Sequence, residues 1–386
     1  MRVLLLSSPS GSHLLPMIPV AWALRAAGHE VLVVGRPNVA DTATRAGLSV
    51  KTIGDEFDGN AIWAELLPPG QRPIEAFGRG GEDSGGEATR AWSFLADQVV
   101  DEQIEFARGW APDLIVADPF ELSALLVGGV LGVPVVQHRW GVDVMGASAL
   151  VSGRRFLAGT CARLGLDALP DPALVIDPCP PSLQTEAAAG GKAIRYVPFN
   201  GAARDVDIWP EHTSGPKVIA TFGWHALALN SHRLLRSVLD AAAGLPAVTF
   251  AMTLGEKYRE ELGEIPANVV LIDPTPLHLV VGDCAAVVHQ GGSGTGLTAL
   301  AHAVPQVVLP GYMEEFDYGD VLAEAGAGVT LDTAEGQNDP ETVRAALVKV
   351  LEDDGYREQA RQLRAEIERT PAPAAVVAEL EALAAR

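Results

Sequence analysis

The chain has 386 residues, more than one hydrophobic core usually serves, so two domains of ordinary size are expected. Its formal net charge of −21 argues against partners such as nucleic acids and anionic membranes. No apolar run approaches the roughly 20 residues that span a bilayer, and the short apolar start is typical of a first strand rather than a signal peptide. We therefore expect a soluble, cytoplasmic protein with no nucleic-acid partner and no membrane insertion.

Apolar strands alternate with helices through the first half of the chain, which indicates an α/β fold with a parallel sheet covered on both faces. Strands are predicted at Arg2–Ser7, Glu30–Val34, Asp113–Ala117 and Val133–Gln137, and helices from Pro16 to Gly28 and at Glu121–Leu131. The glycine-rich stretch Phe77–Arg90 is predicted to be a mobile loop that either gates a site or only connects its neighbours.

The pattern restarts after a linker-like segment, 198–216, that holds three prolines. Predicted strands are Lys217–Phe222, Ala247–Met252, Val269–Ile272, Ala285–His289, Gln306–Leu309 and Gly328–Leu331. Helices are predicted at Ser231–Ala243, Gly294–Ala303 and Glu315–Ala325, and three more close the chain. We predict two Rossmann-like lobes, 1–205 and 217–386, joined by a linker at 206–216. Their loops should face a common cleft, and the last helix is free to pack back on the first lobe.

The strongest local signal is a glycine-rich loop between an apolar strand and a helix. The strand ending at His289 runs into Gln290-Gly291-Gly292-Ser293-Gly294-Thr295-Gly296. Glycines let a backbone approach a ligand, Ser293 and Thr295 add hydroxyl donors, and a helix start carries partial positive charge. The loop is not a Walker A motif, because no Gly-Lys-Ser/Thr follows. It is predicted to hold a diphosphate; the alternative is a tight turn without a ligand.

The corresponding loop of the first lobe carries His13. A helix start favours the neutral, proton-accepting imidazole, so His13 is a candidate general base. Asp118 follows a strand of the same sheet, and a direct His13–Asp118 pair would fix the tautomer and stabilise the imidazolium. The alternative role for Asp118 is a cap on the next helix.

Five motifs occur in order along nearly the whole chain: Ser7-Ser8-Pro9…His13-Leu14…Pro16, Cys179-Pro180-Pro181-Ser182-Leu183-Gln184, Arg195-Tyr196-Val197-Pro198, Thr275-Pro276-Leu277-His278 and His289…Gly291-Gly292-Ser293-Gly294-Thr295. Together they resemble the GT-B antibiotic glycosyltransferases of actinomycetes. The resemblance implies a metal-independent, inverting transfer of a sugar, often a deoxysugar, from a dTDP- or UDP-sugar to a natural-product aglycone such as an aromatic polyketide. It implies no cofactor, an acceptor in the first lobe and a donor in the second; a homodimer is compatible with it.

The resemblance also assigns roles to residues. It makes His13 the base and assigns the diphosphate to His289, Gly291, Gly292, Ser293, Gly294 and Thr295. The nucleobase and ribose fall near Phe222, Gly223, Thr275 and Pro276. Two departures stand out: Asp273-Pro274 replaces a Trp common in the family before Thr275, and Glu314-Glu315 replaces the Asp-Gln pair that faces the donor sugar.

Aromatic residues of the first lobe are candidates for an acceptor pocket. Bulky aromatics are more often core residues, so each is a hypothesis; the set is Trp22, Trp92, Phe94, Phe120, His138 and Trp140. Ser10, which is not aromatic, is a further candidate for the acceptor site. A phenolic acceptor can react through oxygen or through the adjacent ring carbon, and the sequence leaves O- and C-glycosylation open.

Three other functions compete with sugar transfer. A nicotinamide-dependent oxidoreductase would use Gly291–Gly296 as its fingerprint, but the spacing is not G-x-G-x-x-G and no acidic residue ends the next strand. A GT-B epimerase would need acid/base carboxylates, for which Glu314 and Glu315 are available. A non-catalytic auxiliary protein would have no need of His13.

Overall fold

The computed structural model describes residues 1–80, 84–143, 146–188, 190–204, 206–210, 213, 215–260 and 262–386. The chain forms two compact units, and neither is a continuous stretch of sequence. The first unit contains Met1–Phe57, Glu82–Ala202 and Ile367–Arg386; the second contains Asp58–Gly81 and Ala203–Glu366. The sequence boundaries place 58–81 with the first lobe, but these residues belong to the second unit. The last helix belongs to the first unit, the packing that the sequence analysis left open for it.

The strands are β1 Arg2–Ser7, β2 Glu30–Gly35, β3 Ser49–Thr52, β4 Leu114–Ala117, β5 Val135–His138, β6 Leu174–Asp177, β7 Lys192–Ala193, β8 Lys217–Thr221, β9 Thr249–Thr253, β10 Val269–Ile272, β11 Ala286–His289, β12 Gln306–Val308 and β13 Gly328–Thr330. The helices are α1 Gly11–Leu14, α2 Ile18–Ala26, α3 Ala40–Arg45, α4 Gly59–Leu66, α5 Pro73–Phe77, α6 Ser84–Trp110, α7 Ser123–Leu131, α8 Gly146–Phe156, α9 Ala158–Leu164, α10 Gly223–Ala228, α11 His232–Ala243, α12 Ser293–Ala301, α13 Glu314–Glu324, α14 Ala334–Asn338, α15 Pro340–Glu352, α16 Asp354–Arg369 and α17 Pro373–Ala384.

The first unit is built on a sheet in the order β3-β2-β1-β4-β5-β6-β7, in which every pair is parallel. Side chains of β1 alternate between two cores: Val3 and Leu5 pack into one, and Leu4 and Leu6 into the other. Both faces of β1 are therefore covered, which is why its sequence is a continuous apolar run.

The second unit is built on a parallel sheet in the order β10-β9-β8-β11-β12-β13. The helix α11 buries Leu234, Leu235, Val238 and Leu239 against it, a 3.6-residue spacing that places them on one face. As in the first unit, the carboxyl ends of all strands meet at one edge, where ligands of such sheets bind.

A buried arginine explains why 58–81 belongs to the second unit. Arg72, only 3% exposed, donates from Nη1 to Oε1 of Gln337 (2.7 Å) and from Nη2 to Oδ1 of Asn338 (2.8 Å). Asn338 donates in turn to Glu75 Oε1 at 2.8 Å. A guanidinium this buried requires such acceptors.

Part of the predicted loop at Phe77–Arg90 is helical, which corrects the prediction. The helix α6 begins at Ser84, and α5 ends at Phe77; residues 81–83 lie outside the described residues. The glycines at 85 and 86 form only the first turn of a 27-residue helix, whose later turns bury Leu95, Val99 and Val100. Tertiary packing of those turns offsets the low helix propensity of glycine.

Other predicted elements agree with the structure to within about two residues, apart from the first helix. Helical backbone there begins at Gly11, with Pro16 in a 3₁₀ turn before α2. The short strands β3, β6 and β7 carry no clear pattern and were missed. Cys161, Cys179 and Cys284 are free and buried. In the described part of the chain, no helix is long and apolar enough to cross a membrane.

We expect Leu380→Ala to lower the free energy of unfolding by about 2–5 kcal/mol, because it opens a cavity where α17 packs against α2. Leu380 is fully buried in a core that also contains Val20 and Leu24. Urea denaturation measures the change. The control is Val151→Ala on α8, where the side chain is 62% exposed; equal losses in the two variants would contradict the packing.

Candidate functional site

His13 lies in α1, directly after β1, and its imidazole is held by Ser8. Nδ1 of His13 is 2.7 Å from the Ser8 hydroxyl oxygen, and that hydroxyl donates to Oδ1 of Asp118 at 3.0 Å. Because the single Ser8 proton goes to the carboxylate, Nδ1 carries the ring proton and donates to Ser8. Nε2 is then the unprotonated nitrogen, able to accept a proton.

Asp118 occupies the carboxyl edge of the sheet beside β1, as predicted, but does not bond His13 directly. Its Oδ1 is 3.9 Å from Nδ1 of His13, and the Ser8 hydroxyl lies between them. The carboxylate also accepts the backbone N–H groups of Ser8 (2.7 Å) and Phe120 (2.9 Å). It is not the cap of the next helix, since α7 begins at Ser123 after Leu122. Burial raises the pKa of Asp118 to about 6, against the opposing hydrogen bonds from Ser8 and Phe120.

Three predicted acceptor residues surround the His13 ring. Trp140 stacks on it with centroids 4.0 Å apart, and Trp92 and Phe120 lie 5.9 and 6.1 Å away. Trp92 in turn stacks on Phe120 at 5.2 Å. All three side chains are only half-buried, so the cluster offers aromatic surface next to His13. Burial lowers the pKa of His13 to about 3, which keeps the imidazole neutral.

The remaining acceptor candidates do not join this aromatic cluster. Trp22 packs edge-on against Phe199, and Phe94 is 64% exposed on α6. His138 is buried with Nδ1 2.6 Å from the Arg139 carbonyl oxygen, and burial lowers its pKa to about 4. The Ser10 hydroxyl pairs with the Ser12 hydroxyl at 2.7 Å.

A small cavity beside the cluster was not foreseen. Its volume of about 10 Å³ leaves room for roughly one water molecule. It is lined by Pro9, Arg36, Trp92, Leu95, Ala96, Val99, Gln103, Phe120 and Glu121. Oε1 of Gln103, buried in its wall, has no hydrogen-bond partner within the described residues. Burial raises the pKa of Glu121 to about 7, with the nearby charge of Asp118 adding to the shift.

The glycine-rich loop (His289–Thr295) leads from β11 into α12, but His289 has a different environment from the one predicted. Its side chain is fully buried. The Gly291 N–H donates to Nδ1 at 3.1 Å, and Nε2 is 2.8 Å from Oε1 of Gln306. Both ring nitrogens are thus occupied by protein groups, so the imidazole shapes the loop and is not exposed to a diphosphate.

Close packing explains the glycines of this loop. Gly291 has φ +106°, and a Cβ there would lie 2.6 Å from the Glu315 carbonyl oxygen. A Cβ at Gly296 would lie 1.9 Å from the Tyr318 hydroxyl. The helix α12 begins at Ser293, after Gly292, and the first turn of a helix presents N–H groups that have no intrahelical acceptor. Ser293, Gly294 and Thr295 form that turn, so the helix start lies within one residue of its predicted position.

The predicted nucleobase region is only partly suited to that role. Phe222 is fully buried in the core of the second unit and has no free face for a base, which corrects its assignment. Gly223 begins α10 with φ +63°. Thr275 donates its hydroxyl to the Asp273 carbonyl oxygen at 2.9 Å, and Pro276 precedes a 3₁₀ turn.

A charged pair lies close to where the family commonly has a Trp. Asp273 pairs with Nη2 of Arg259 at 2.7 Å.

Gln290 was not predicted as a site residue. Its Oε1 is buried without a partner among the described residues, and its Nε2 lies about 3 Å from where a Cβ of Gly223 or Gly292 would be. Its position inside the glycine motif, directly after His289, was the sequence signal for it.

The two glutamates at the start of α13 differ in environment. Glu314 is exposed, whereas Glu315 is buried and accepts the backbone N–H groups of Gly311 (2.8 Å) and Tyr312 (3.4 Å). Burial raises the pKa of Glu315 well above its usual value. Glu315 therefore holds its own loop. The described residues contain no cluster of three His, Cys, Asp or Glu side chains that could bind a metal ion.

Both halves of the chain match models of a single family. Residues 22–223 match the N-terminal domain, and residues 236–383 the C-terminal domain, of the erythromycin biosynthesis protein CIII-like family. The chain belongs to this family.

Relatives with established names are antibiotic glycosyltransferases. This family member is 33% identical to the 10-deoxymethynolide desosaminyltransferase of Streptomyces venezuelae, covering 100% of this chain and 98% of that protein. It is 34% identical to the L-demethylnoviosyl transferase of Streptomyces niveus, covering 99% and 98%.

The chain is also similar to solved structures of glycosyltransferases. Spinosyn rhamnosyltransferase SpnG is 35% identical with a TM-score of 0.86, covering 99% of this chain and 100% of that one, and has also been solved with thymidine diphosphate and with spinosyn aglycone. SnogD from Streptomyces nogalater is 30% identical with a TM-score of 0.83, covering 100% and 99%. The protein is thus a nucleotide-sugar-dependent GT-B glycosyltransferase of natural-product biosynthesis, which confirms the resemblance.

We expect Glu121→Gln to change how stability depends on pH. The pKa of Glu121 is raised from 4.5 to about 7 by burial, so between these values the unfolded chain releases its proton while the folded chain keeps it. Wild-type stability therefore falls as pH rises through this window, at most by about 1.4 kcal/mol per pH unit, and this contribution is constant above pH 7.

Urea denaturation from pH 4 to pH 8 tests this expectation. The difference in unfolding free energy between Glu121→Gln and the wild type should grow with pH and level off near pH 7. Glu105→Gln, an exposed site on α6, is the control and should follow the wild type. If the difference between Glu121→Gln and the wild type did not change with pH, Glu121 would not keep its proton in the folded chain between pH 4.5 and 7, and the prediction would be wrong.

Proposed function

We propose that this glycosyltransferase moves a deoxysugar from a dTDP- or UDP-sugar to a polyketide-type aglycone, with inversion, and that His13 is the general base. The observation that carries the proposal is the chain of hydrogen bonds from Asp118 through Ser8 to His13, which leaves Nε2 unprotonated. Among relatives, one is named for 10-deoxymethynolide and another for aklavinone, and each name includes a deoxyaminosugar.

The reaction is a single displacement. Nε2 of His13 takes the proton of the acceptor hydroxyl as its oxygen bonds to the anomeric carbon from the face opposite the nucleotide. The bond from that carbon to the phosphate oxygen breaks, and the nucleoside diphosphate leaves with the electron pair. Asp118 stabilises the imidazolium through Ser8. With a phenol, the adjacent ring carbon could form the bond instead, so product NMR must distinguish O- from C-linkage.

The aromatic cluster would hold the acceptor against the base. Trp92, Phe120 and Trp140 border the His13 ring and are half-buried, and such surfaces suit apolar ring systems.

The donor diphosphate would bind the first turn of α12, which begins at Ser293. Backbone N–H groups and the Ser293 and Thr295 hydroxyls supply local positive potential in a chain of net charge −21. These donors would also stabilise the leaving diphosphate, so we propose that no metal ion is needed. Glu314 is the exposed first residue of α13, next to buried Glu315, and is our candidate contact for the sugar hydroxyls.

We expect dTDP or UDP to raise the melting temperature by several degrees at a hundredfold excess over Kd, because binding at that ratio adds about 2.7 kcal/mol. GDP and NAD serve as comparison ligands, in buffer with EDTA. Gly292→Asp should abolish the shift, since its carboxylate would repel a diphosphate at the helix start. Gly159→Asp on α9, where a Cβ has open space, is the control. Stabilisation by NAD alone would instead indicate an oxidoreductase.

We expect His13→Ala to lower kcat by about 10²–10⁴-fold while leaving dTDP binding unchanged, because general-base catalysis contributes about that much. Ser8→Ala should lower kcat less, since Nε2 remains but the link to Asp118 is cut. Transfer from dTDP-deoxysugars is assayed with EDTA against 10-deoxymethynolide, tylactone, aklavinone and spinosyn aglycone.

The acceptor panel also tests the rest of the mechanism. The anomeric configuration of the product, read by NMR, should be opposite to that of the donor. Full activity of His13→Ala would exclude this residue as the base, and an absolute need for added divalent cation would contradict the metal-free mechanism. Conversion of the donor sugar without transfer would favour an epimerase.

A further inference from the structure

Three buried polar side chains lie behind the glycine-rich loop and form what we term the Gln306 network: His289, Gln306 and Tyr318. They are 0%, 0% and 1% exposed. Oε1 of Gln306 is 2.8 Å from Nε2 of His289 and accepts the Tyr318 hydroxyl at 2.9 Å. The amide nitrogen of Gln306 donates to the Gly296 carbonyl oxygen at 3.2 Å.

The hydrogen bonds fix every proton in this network. The Gly291 N–H donates to Nδ1 of His289, so Nδ1 has no proton and a neutral ring carries it on Nε2. Nε2–H then donates to Gln306, whose oxygen receives two donors while its amide nitrogen serves Gly296. With the Gln306 amide turned over, its NH₂ group would face the Nε2–H of His289 and the Tyr318 hydroxyl, and its oxygen would face the Gly296 carbonyl oxygen. The arrangement is therefore self-consistent in only one orientation.

The network connects the loop and the helix that follows it to the rest of the second unit. Through His289 it holds Gly291, and through its amide it holds Gly296 in the first turns of α12. Tyr318, on α13, comes so close to Gly296 that a Cβ there would overlap its hydroxyl. Within the described residues, the side-chain hydrogen bonds of Gln306 thus go to His289, to the helix that follows the loop, and to the tyrosine packed against that helix.

Burying an amide in a strand is costly unless it is satisfied, and Gln306 is the only polar residue of β12, whose other residues are Val307 and Val308. A valine or methionine would fill that position without the cost of desolvation. We explain the polar side chain of Gln306 by its hydrogen bonds, which fix the conformation of the loop.

We propose that Gln306 and Tyr318 are positioning residues for the donor diphosphate, acting through His289 and Gly296, and that His289 itself does not touch the phosphates. This inference rests on the proposed function of the loop. Loss of the network should therefore weaken recognition of the diphosphate while leaving recognition of the nucleoside unchanged.

The test compares binding of dTDP and thymidine to the wild type, Tyr318→Phe and Gln306→Met, by calorimetry for dTDP and ligand-observed NMR for thymidine. We expect the Kd for dTDP to rise roughly 3- to 10-fold in each variant, the loss of one hydrogen bond or a little more, with an unchanged Kd for thymidine. Ser237→Ala is the matched control: it removes a buried hydroxyl of the same unit that has no partner among the described residues.

Each outcome decides. An unchanged Kd for dTDP in both variants, or equal weakening for dTDP and thymidine, would overturn the positioning role. Tyr318→Phe removes one oxygen atom and keeps the ring, so it preserves the test if Gln306→Met unfolds. If wild type binds UDP rather than dTDP, UDP and uridine replace the pair. Binding of neither diphosphate to wild type would overturn the proposed function, and the inference with it.

Discussion

The hydrogen bond from the Gly291 amide to Nδ1 of His289 is the contact on which the glycine-rich loop depends. It occupies one backbone N–H of the loop and decides which nitrogen of the imidazole carries the proton. That choice requires an acceptor on the other side of the ring, which is Gln306, and the oxygen of Gln306 also receives Tyr318. The tyrosine in turn leaves no room for a side chain at Gly296. One backbone hydrogen bond thus explains a buried glutamine, a buried tyrosine and a glycine.

The first unit uses a histidine after a strand in a different way. Burial lowers the pKa of both His13 and His289, to about 3 and about 4, so both rings are neutral near pH 7. His289 has both nitrogens occupied by protein groups, whereas His13 uses only Nδ1 for Ser8 and has an 18% exposed side chain. The difference in hydrogen bonding, not in pKa, suits one ring to proton transfer and the other to holding a loop.

Strand periodicity allowed most of the fold to be predicted, because buried parallel strands such as β1 and β11 are apolar and end at polar loops. It also placed His13, Asp118 and the glycine-rich loop at carboxyl strand ends. It could not show that Ser8 lies between His13 and Asp118. That depends on Nδ1 of His13 being 2.7 Å from the Ser8 hydroxyl oxygen but 3.9 Å from Oδ1 of Asp118, a difference that the spacing of residues along the chain does not reveal. The assignment of 58–81 to the second unit depends on Arg72 meeting Gln337, 265 positions away. Such long-range polar contacts leave no periodic signal in a sequence.

Asp118 is placed to stabilise the proposed base, His13, once its imidazole has taken a proton. Burial lowers the pKa of His13 to about 3 in the folded chain, although proton transfer is most effective when the pKa of the base is near the working pH. Asp118, with a pKa of about 6, is ionised at pH 7 and lies 3.9 Å from Nδ1. Opposite charges at this distance attract each other. The attraction is absent while His13 is neutral and develops as Nε2 takes the proton. It therefore favours the transition state over the ground state, which is the condition for an interaction to raise kcat.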